Sequence, residues 1–181
     1  MRYRRVKMDG GTYFFTLVTY QRAPLFSSLE NCGLLREAFR QVMEKHPFSI
    51  DAFVLLPDHL HCIWTLPGGD RNYSMRWRMI KSQFTRECKK QKVLSQSNAA
   101  RARKQEQTVW QRRFWEHTIR DAHDYRKHVE YIHFNPVKHG HAERPAEWKY
   151  SSFHRFVRQG IYPESWGRHP KDYAFEEDIL E

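Results

Sequence analysis

Two short segments contain the side chains best suited to chemistry. The first is Asp58-His59-Leu60-His61-Cys62-Ile63-Trp64. In an extended chain successive side chains alternate faces, so His59 and His61 point one way while Leu60, Cys62 and Trp64 point the other. Two imidazoles at i and i+2 can chelate one divalent cation, and the apolar alternates would anchor their strand in a core. The spacing also describes two surface histidines. A closed zinc site would need a third histidine, cysteine or acid. No HExxH and no H-x-E…PCxxC occurs, which argues against metalloprotease and deaminase chemistry.

The second segment is Asp124-Tyr125-Arg126-Lys127-His128-Val129-Glu130-Tyr131-Ile132-His133-Phe134-Asn135-Pro136. Tyr125, Val129 and Ile132 fall on one apolar stripe at helical spacing. Asp124, His128, Tyr131 and Asn135 form a polar stripe beside it. A tyrosine hydroxyl can attack phosphorus to give a covalent phosphotyrosine. Its ordinary pKa of about 10 means it needs help, and a cation on the scissile phosphate would lower the barrier. Asn135, one turn after Tyr131, could add an oxygen ligand to the two imidazoles. His128 is a rival third ligand or a base. Taken alone, Tyr131 also reads as a packing tyrosine with a wet hydroxyl.

Positioning these groups requires a strand, a second strand pair and a late helix. Residues 12–20 are β-branched and aromatic after Gly10-Gly11, which reads as a strand. Residues 34–45 carry Leu35, Ala38, Phe39 and Val42 at helical spacing, with Asn31 as a possible cap and Pro47 just beyond the end. Ser49–Leu56 and His59–Leu66 read as strands joined by a Pro57-Asp58 turn. The spacing of Tyr73, Trp77, Ile80, Phe84 and Cys88 predicts a helix over 74–92. Arg76, Arg78, Lys81, Arg86, Lys89, Lys90 and Lys92 would occupy its other faces. A polar, basic loop covers 94–108. A strand is expected over 110–119, a helix over 121–135 stopping before Pro136, a short helix over 151–159 and an extended C-terminal tail over 160–181. The order β-α-β-β-α-β-α places the chain in the α+β class. Its first six elements match a split β-α-β, ferredoxin-like antiparallel sheet with helices on one face. Residues 1–181 are expected to form a single domain ending in that tail.

Composition narrows the partners. The chain has 181 residues and a formal charge of +10, with 40% hydrophobic and 15% aromatic residues, which suits a packed core and a polyanionic partner. The charge is concentrated: residues 71–120 hold 14 Lys/Arg against 3 Asp/Glu, while residues 171–181 hold one lysine against five acids. No run of about 18 apolar residues exists, so no membrane-spanning helix is expected. The basic N-terminus lacks an apolar stretch, so no signal peptide is expected. Cys32, Cys62 and Cys88 are scattered and odd in number, which fits a reducing cytoplasm.

Together the two motifs resemble the HUH superfamily of single-strand nucleases, named for His-hydrophobic-His, here His59-Leu60-His61. Its one-tyrosine transposases carry a helical tyrosine with a metal-binding Gln or Asn one turn later, here Tyr131 and Asn135. The ordered segments Trp110-Gln111-Arg112-Arg113-Phe114-Trp115-Glu116-His117, Ile119-Arg120-Asp121, Tyr131 to Gly140 and Trp148-Lys149-Tyr150-Ser151-Ser152-Phe153 resemble, more narrowly, the REP-associated tyrosine transposases. The resemblance runs from about Gly10-Gly11 to Trp166-Gly167 and leaves loop 94–108 and the acidic end unmatched.

That resemblance implies cleavage and rejoining of single-stranded DNA around repetitive extragenic palindromes, which extrude as hairpins. It implies a 5′-phosphotyrosine on Tyr131, a 3′-hydroxyl product, and one Mg²⁺ or Mn²⁺ on His59, His61 and Asn135. A monomer is expected rather than a dimer. Imidazole ligands suit Mn²⁺ better than Mg²⁺. The expected DNA-holding residues are Arg4, Arg5, Arg78, Lys81, Arg86, Lys89, Lys90, Arg112, Arg113 and Lys138. Exposed aromatics could stack on unpaired bases. Two other readings remain open on residues alone: a non-catalytic RNA- or DNA-binding module of ferredoxin-like fold, and a metal hydrolase that uses water. The acidic end could lie across the basic face and compete with DNA, or be a solvated end.

Overall fold

The computed structural model describes residues 8–91 and 109–168. Four strands, β1 (Thr12–Val18), β2 (Ser49–Leu55), β3 (His59–Thr65) and β4 (Trp115–Thr118), form one antiparallel sheet in the order β2-β3-β1-β4. Helices α1 (Leu29–Lys45) and α2 (Tyr73–Lys90) connect them, followed by α3 (Ala122–Lys138) and the short α4 (Phe153–Arg158). This is the split β-α-β arrangement expected from the element order.

Alternation along the central strands decides both faces. Tyr13, Phe15 and Leu17 of β1 and Leu60, Cys62 and Trp64 of β3 point into the larger core, where α1 and α2 lie. The Trp64 and Trp77 rings stack there, centroids 4.0 Å apart. Phe14 of β1 and Ile63 of β3 point to the opposite face with Ala52 and Val54 of β2, and α3 covers them with Val129 and Ile132. The first two helices thus share one face, as the sequence implied, and the tyrosine-bearing helix covers the other. That other face is the one His59 and His61 share with Thr16, since Thr16 is the register partner of His61.

Several boundaries differ from the sequence reading. Helix α1 starts five residues earlier, capped by Ser28, whose side chain accepts from the Asn31 backbone. Asn31 is buried inside the helix, where its amide donates to the Leu25 carbonyl at 2.7 Å. The last strand is shorter than 110–119: Trp110 makes one isolated bridge to Thr19, and regular pairing resumes only at Trp115. Trp110 instead fills the larger core against Phe26 and Phe84.

Helix α3 does not stop before Pro136 but runs three residues further, to Lys138. Proline removes one donor and one intrahelical bond. The end is then closed by the Gly140 and His141 amides, bonded to the Val137 and Pro136 carbonyls, with Gly140 at φ +69°. This is the left-handed helix stop that glycine accommodates best.

Residues 160–168, expected as the beginning of an extended tail, fold back. Tyr162 stacks on Trp166 at 4.6 Å, and Trp166 packs with Phe134 and Phe153. Arg4, Arg5, Lys92, loop 94–108 and the acidic segment 171–181 lie outside the described residues.

Candidate active site

The register of β1 and β3 and the covering helix bring His59, His61 and Tyr131 to one place, and Asn135 lies on the same helix one turn after Tyr131 and one turn before His139. The imidazole centroids of His59 and His61 are 5.0 Å apart. The Tyr131 ring stands 5.3 Å from that of His61, at a steep angle, and 6.1 Å from Phe14. The sheet-borne imidazoles and the helix-borne phenol therefore meet. The place is enclosed: His59 and Tyr131 are 2% exposed, and His61 and Asn135 are fully buried.

Each imidazole is held by its other nitrogen. His59 Nδ1 lies 2.6 Å from Asp58 Oδ1, and His61 Nδ1 lies 2.8 Å from Thr16 Oγ1. A ring anchored through Nδ1 leaves Nε2 free to ligate. Among the described residues the Nε2 atoms of both histidines and both amide atoms of Asn135 are buried without a hydrogen-bond partner. Other buried polar atoms, such as the indole nitrogens of Trp64, Trp77 and Trp110, also lack partners, but the two Nε2 atoms and the Asn135 amide oxygen are the ones whose lone pairs a cation could take up. Two imidazole nitrogens and one amide oxygen make a donor set that a divalent cation such as Mn²⁺ or Mg²⁺ fits.

The electrostatics agree with that role. Burial pushes the pKa of His59 below its ordinary value and that of His61 well below it, so both rings are neutral with lone pairs available near pH 7. Asp58 is pushed up by its own burial, but its bonds to His59 and Arg22 outweigh this and hold it below the usual carboxylate value. Arg22 Nη1 reaches Asp58 Oδ2 at 3.0 Å. It does so from a backbone with φ +51°, next to Gln21 at φ +54°. Non-glycine residues in that region cost on the order of 1 kcal/mol or more each and persist where the surroundings hold them.

Other groups that the sequence reading did not assign to the site also gather here. Thr16 becomes visible only through strand register. Asp58 precedes His59 directly, so a carboxylate orienting an adjacent imidazole was available as a signal. His139 follows Asn135 by one turn, and its ring is 5.0 Å from His59. Arg22 has no local signature.

His128 is elsewhere. Its Nδ1 donates to the Asp124 backbone carbonyl at 2.8 Å, and its ring stacks on His117 at 4.6 Å and 14°. This corrects its reading as a rival third ligand or base beside Tyr131. His117, Asp124 and His128 have the composition of a metal cluster. Yet Asp124 Oδ2 already accepts from His117, from Arg120 Nε and from the Arg120 amide. The trio is better described as a hydrogen-bonded support under Phe14, whose ring lies 4.8 Å from His128. A cavity of about 690 Å³ on the other flank of α3, lined by Asp51, Tyr125, Arg126 and Tyr162 among others, shares no residue with the His–Tyr site.

The expected DNA-holding residues divide by face. Arg78, Lys81, Arg86, Lys89 and Lys90 are on α2, across the sheet from the imidazoles. Arg78 and Lys89 are exposed, while Arg86 and Lys90 pair with Glu87 at 3.5 and 2.9 Å. Lys81 is half-buried and donates to the Gln111 carbonyl at 2.8 Å, and burial lowers its ammonium to about 8. It ties α2 to the segment before β4. Arg76, read as part of the basic face, is 2% exposed and bonds Asp70 and the carbonyls of His46, Pro47 and Asn72. Arg112 and Arg113 are exposed just before β4, and Lys138 projects beside Tyr131.

Residues 7–135 match the model of the IS200-like transposase family. The chain belongs to that family. A REP-associated tyrosine transposase of Escherichia coli (strain K12) is 43% identical to it over 179 residues, covering 98% of both chains. A Haemophilus influenzae protein is 45% identical over 177 residues, again with 98% of both covered. A solved structure of a REP-associated tyrosine transposase bound to a REP hairpin is 42% identical, covers 100% of this chain and 99% of its own, and superposes with a TM-score of 0.79. The protein is thus a transposase-type enzyme that works with a tyrosine nucleophile, and the non-catalytic binding-module reading falls away. Among the described residues, no helix of this transposase is long and apolar enough to cross a membrane.

Proposed function

We propose that this transposase cuts and rejoins single-stranded DNA beside a REP-type hairpin through a 5′-phosphotyrosine on Tyr131. His59, His61 and Asn135 would hold one divalent cation, Mg²⁺ or Mn²⁺. When bound there, such an ion draws charge from the phosphoryl oxygens and lowers the barrier to attack. The observation that carries the reading is the set of orphaned Nε2 and amide atoms beside a buried phenol. The names of the relatives, and the hairpin held by one of them, supply the substrate class.

The steps on this chain's side are few. Asp58 and Thr16 keep the two rings oriented through their Nδ1 atoms, and burial keeps both rings neutral. Phe14, His61 and the α3 backbone fix the direction of the Tyr131 ring. Attack forms the bond from Tyr131 Oη to phosphorus and breaks the bond from phosphorus to the 3′-oxygen. The phenolic proton passes to water, and the departing 3′-oxygen takes one from water. Rejoining reverses these changes on an incoming 3′-hydroxyl. Because the phenol is almost wholly enclosed, the strand reaches it only as groups at the rim move aside. The enzyme acts as a monomer in this reading, and its three buried, unbridged cysteines suit a reducing cytoplasm.

The test is a hairpin oligonucleotide with single-stranded flanks, incubated with and without Mn²⁺ and run on a denaturing gel. Wild-type protein gives a covalent adduct with Mn²⁺ only, and Tyr131→Phe gives none while still retarding the hairpin on a native gel. An adduct that survives in Tyr131→Phe would remove Tyr131 from the mechanism, and cleavage without any adduct would point to a water nucleophile.

A further inference from the structure

We infer that Lys138 is a further catalytic residue, its ammonium taking a non-bridging oxygen of the scissile phosphate while Tyr131 attacks; this rests on the phosphotyrosine reading above. Tyr131, Asn135 and Lys138 succeed one another on α3 at spacings of four and three, so one helix face carries nucleophile, ligand and charge. The Lys138 Nζ stands over the Tyr131 ring, 4.9 Å from its centroid. Lys138 is exposed whereas Tyr131 is 2% exposed, so an approaching phosphate meets the ammonium on its way to the phenol.

The distribution of charge says what that ammonium does. His59, His61 and Asn135 are all neutral donors. As Tyr131 Oη bonds to phosphorus, negative charge passes from the deprotonated phenol to the non-bridging oxygens and the departing 3′-oxygen. The cations of α2 are across the sheet, and Arg22 is bonded to Asp58. Lys138 stands against the nucleophile itself. A cation standing beside the nucleophile before the reaction stabilises developing charge, and does so more strongly once the bound strand covers the rim and excludes water. A cation over a phenol ring also favours the ionised phenol. The bonds made and broken are those given above, and Lys138 gives up no proton.

The test is a single-turnover rate of adduct formation with Mn²⁺ and protein saturating over the hairpin oligonucleotide, for wild type, Lys138→Met and Lys138→Arg. Hairpin affinity is measured alongside. Lys138→Met should form the adduct about 10²-fold more slowly at saturation, the loss typical of one charge-stabilising donor. Its hairpin affinity should fall much less, and Lys138→Arg should recover most of the rate. A Lys138→Met protein that binds more weakly but reacts at the wild-type rate once saturated would overturn the inference, as would an arginine variant no faster than the methionine one. Absence of any adduct in wild type would instead sink the phosphotyrosine reading, so the two failures are separable.

Discussion

Replacing Thr16 by valine removes one hydroxyl of nearly unchanged shape and asks whether His61 is held ready to ligate. Thr16 Oγ1 is 2.8 Å from His61 Nδ1, and the two residues are 4% and 0% exposed, so water cannot readily substitute. If the hydroxyl accepts from Nδ1–H, the proton is fixed there and the Nε2 lone pair faces the site. Without it the ring can turn or adopt the other tautomer, and either change takes the lone pair away. Partners of this kind are worth about 10–100-fold in metal affinity, or roughly 1.4–3 kcal/mol. The metal-free protein should also lose about 1–3 kcal/mol, because a buried ring N–H is left unpaired. For a chain of this size that lowers the melting temperature by about 2–12 °C. Mn²⁺ titration by calorimetry and a thermal melt without metal read the two effects separately. Thr16→Ser, which keeps the hydroxyl, should behave as wild type in both. Unchanged Mn²⁺ affinity in Thr16→Val would refute the orienting role.

Further expectations follow from the same geometry. Asn135→Ala should weaken Mn²⁺ binding and slow adduct formation while hairpin affinity stays within a few-fold; equal Mn²⁺ affinity would remove Asn135 from the ligand set. Arg76→Met should destabilise the fold by about 3 kcal/mol or more, since Asp70 and three backbone carbonyls lose their donor; urea denaturation measures this, and a loss under 1 kcal/mol would mean the bonds are dispensable. Acid should destabilise the protein between pH 6.5 and 5. Burial pushes His133 down to about 3, and His59, His61 and His128 are lowered for the same reason. In that window the unfolded chain takes up protons that the folded one refuses, so stability present above about 6.5 is lost as pH falls, by up to about 1.4 kcal/mol per pH unit for each ring. A flat urea midpoint from pH 7 to 5 would contradict it. Lys89→Ala with Arg78→Ala should reduce the salt dependence of hairpin binding by roughly 0.9 in log–log slope per lost phosphate contact; an unchanged slope would put the α2 face off the DNA.

The architecture was readable because two periodicities are clean in this chain. Alternation along β3 separated the two histidines from Leu60, Cys62 and Trp64, and the stripe of Tyr73, Trp77, Ile80, Phe84 and Cys88 fixed the buried side of α2. Tyr131 and Asn135 were readable as one turn of one helix. What the residues did not reveal depends on contacts between distant segments. Thr16 reaches His61 only through the pairing of β1 with β3. Arg22 reaches Asp58 only because two consecutive residues take positive φ. His128 looked like a member of the reactive stripe, but it lies nearer the start of α3, where its ring bonds the Asp124 carbonyl and stacks on His117 of β4. The α2 cations were expected to hold DNA without a stated side of the sheet, because charge along a sequence does not say which side it lands on. Arg76 carried the same ambiguity, since a long cationic side chain can be buried wherever carbonyls converge on it.

The central claim is that one phenol becomes covalently joined to DNA at a site built by two sheet imidazoles. Its most direct measurement is peptide mapping of the trapped adduct by mass spectrometry, after Mn²⁺-dependent reaction with a flanked hairpin strand. The account predicts a nucleotide mass on the peptide containing Tyr131, absent when the ion is chelated and absent from His61→Ala. A nucleotide mass on any other residue, or an adduct at Tyr131 that forms equally well in His61→Ala, would contradict it.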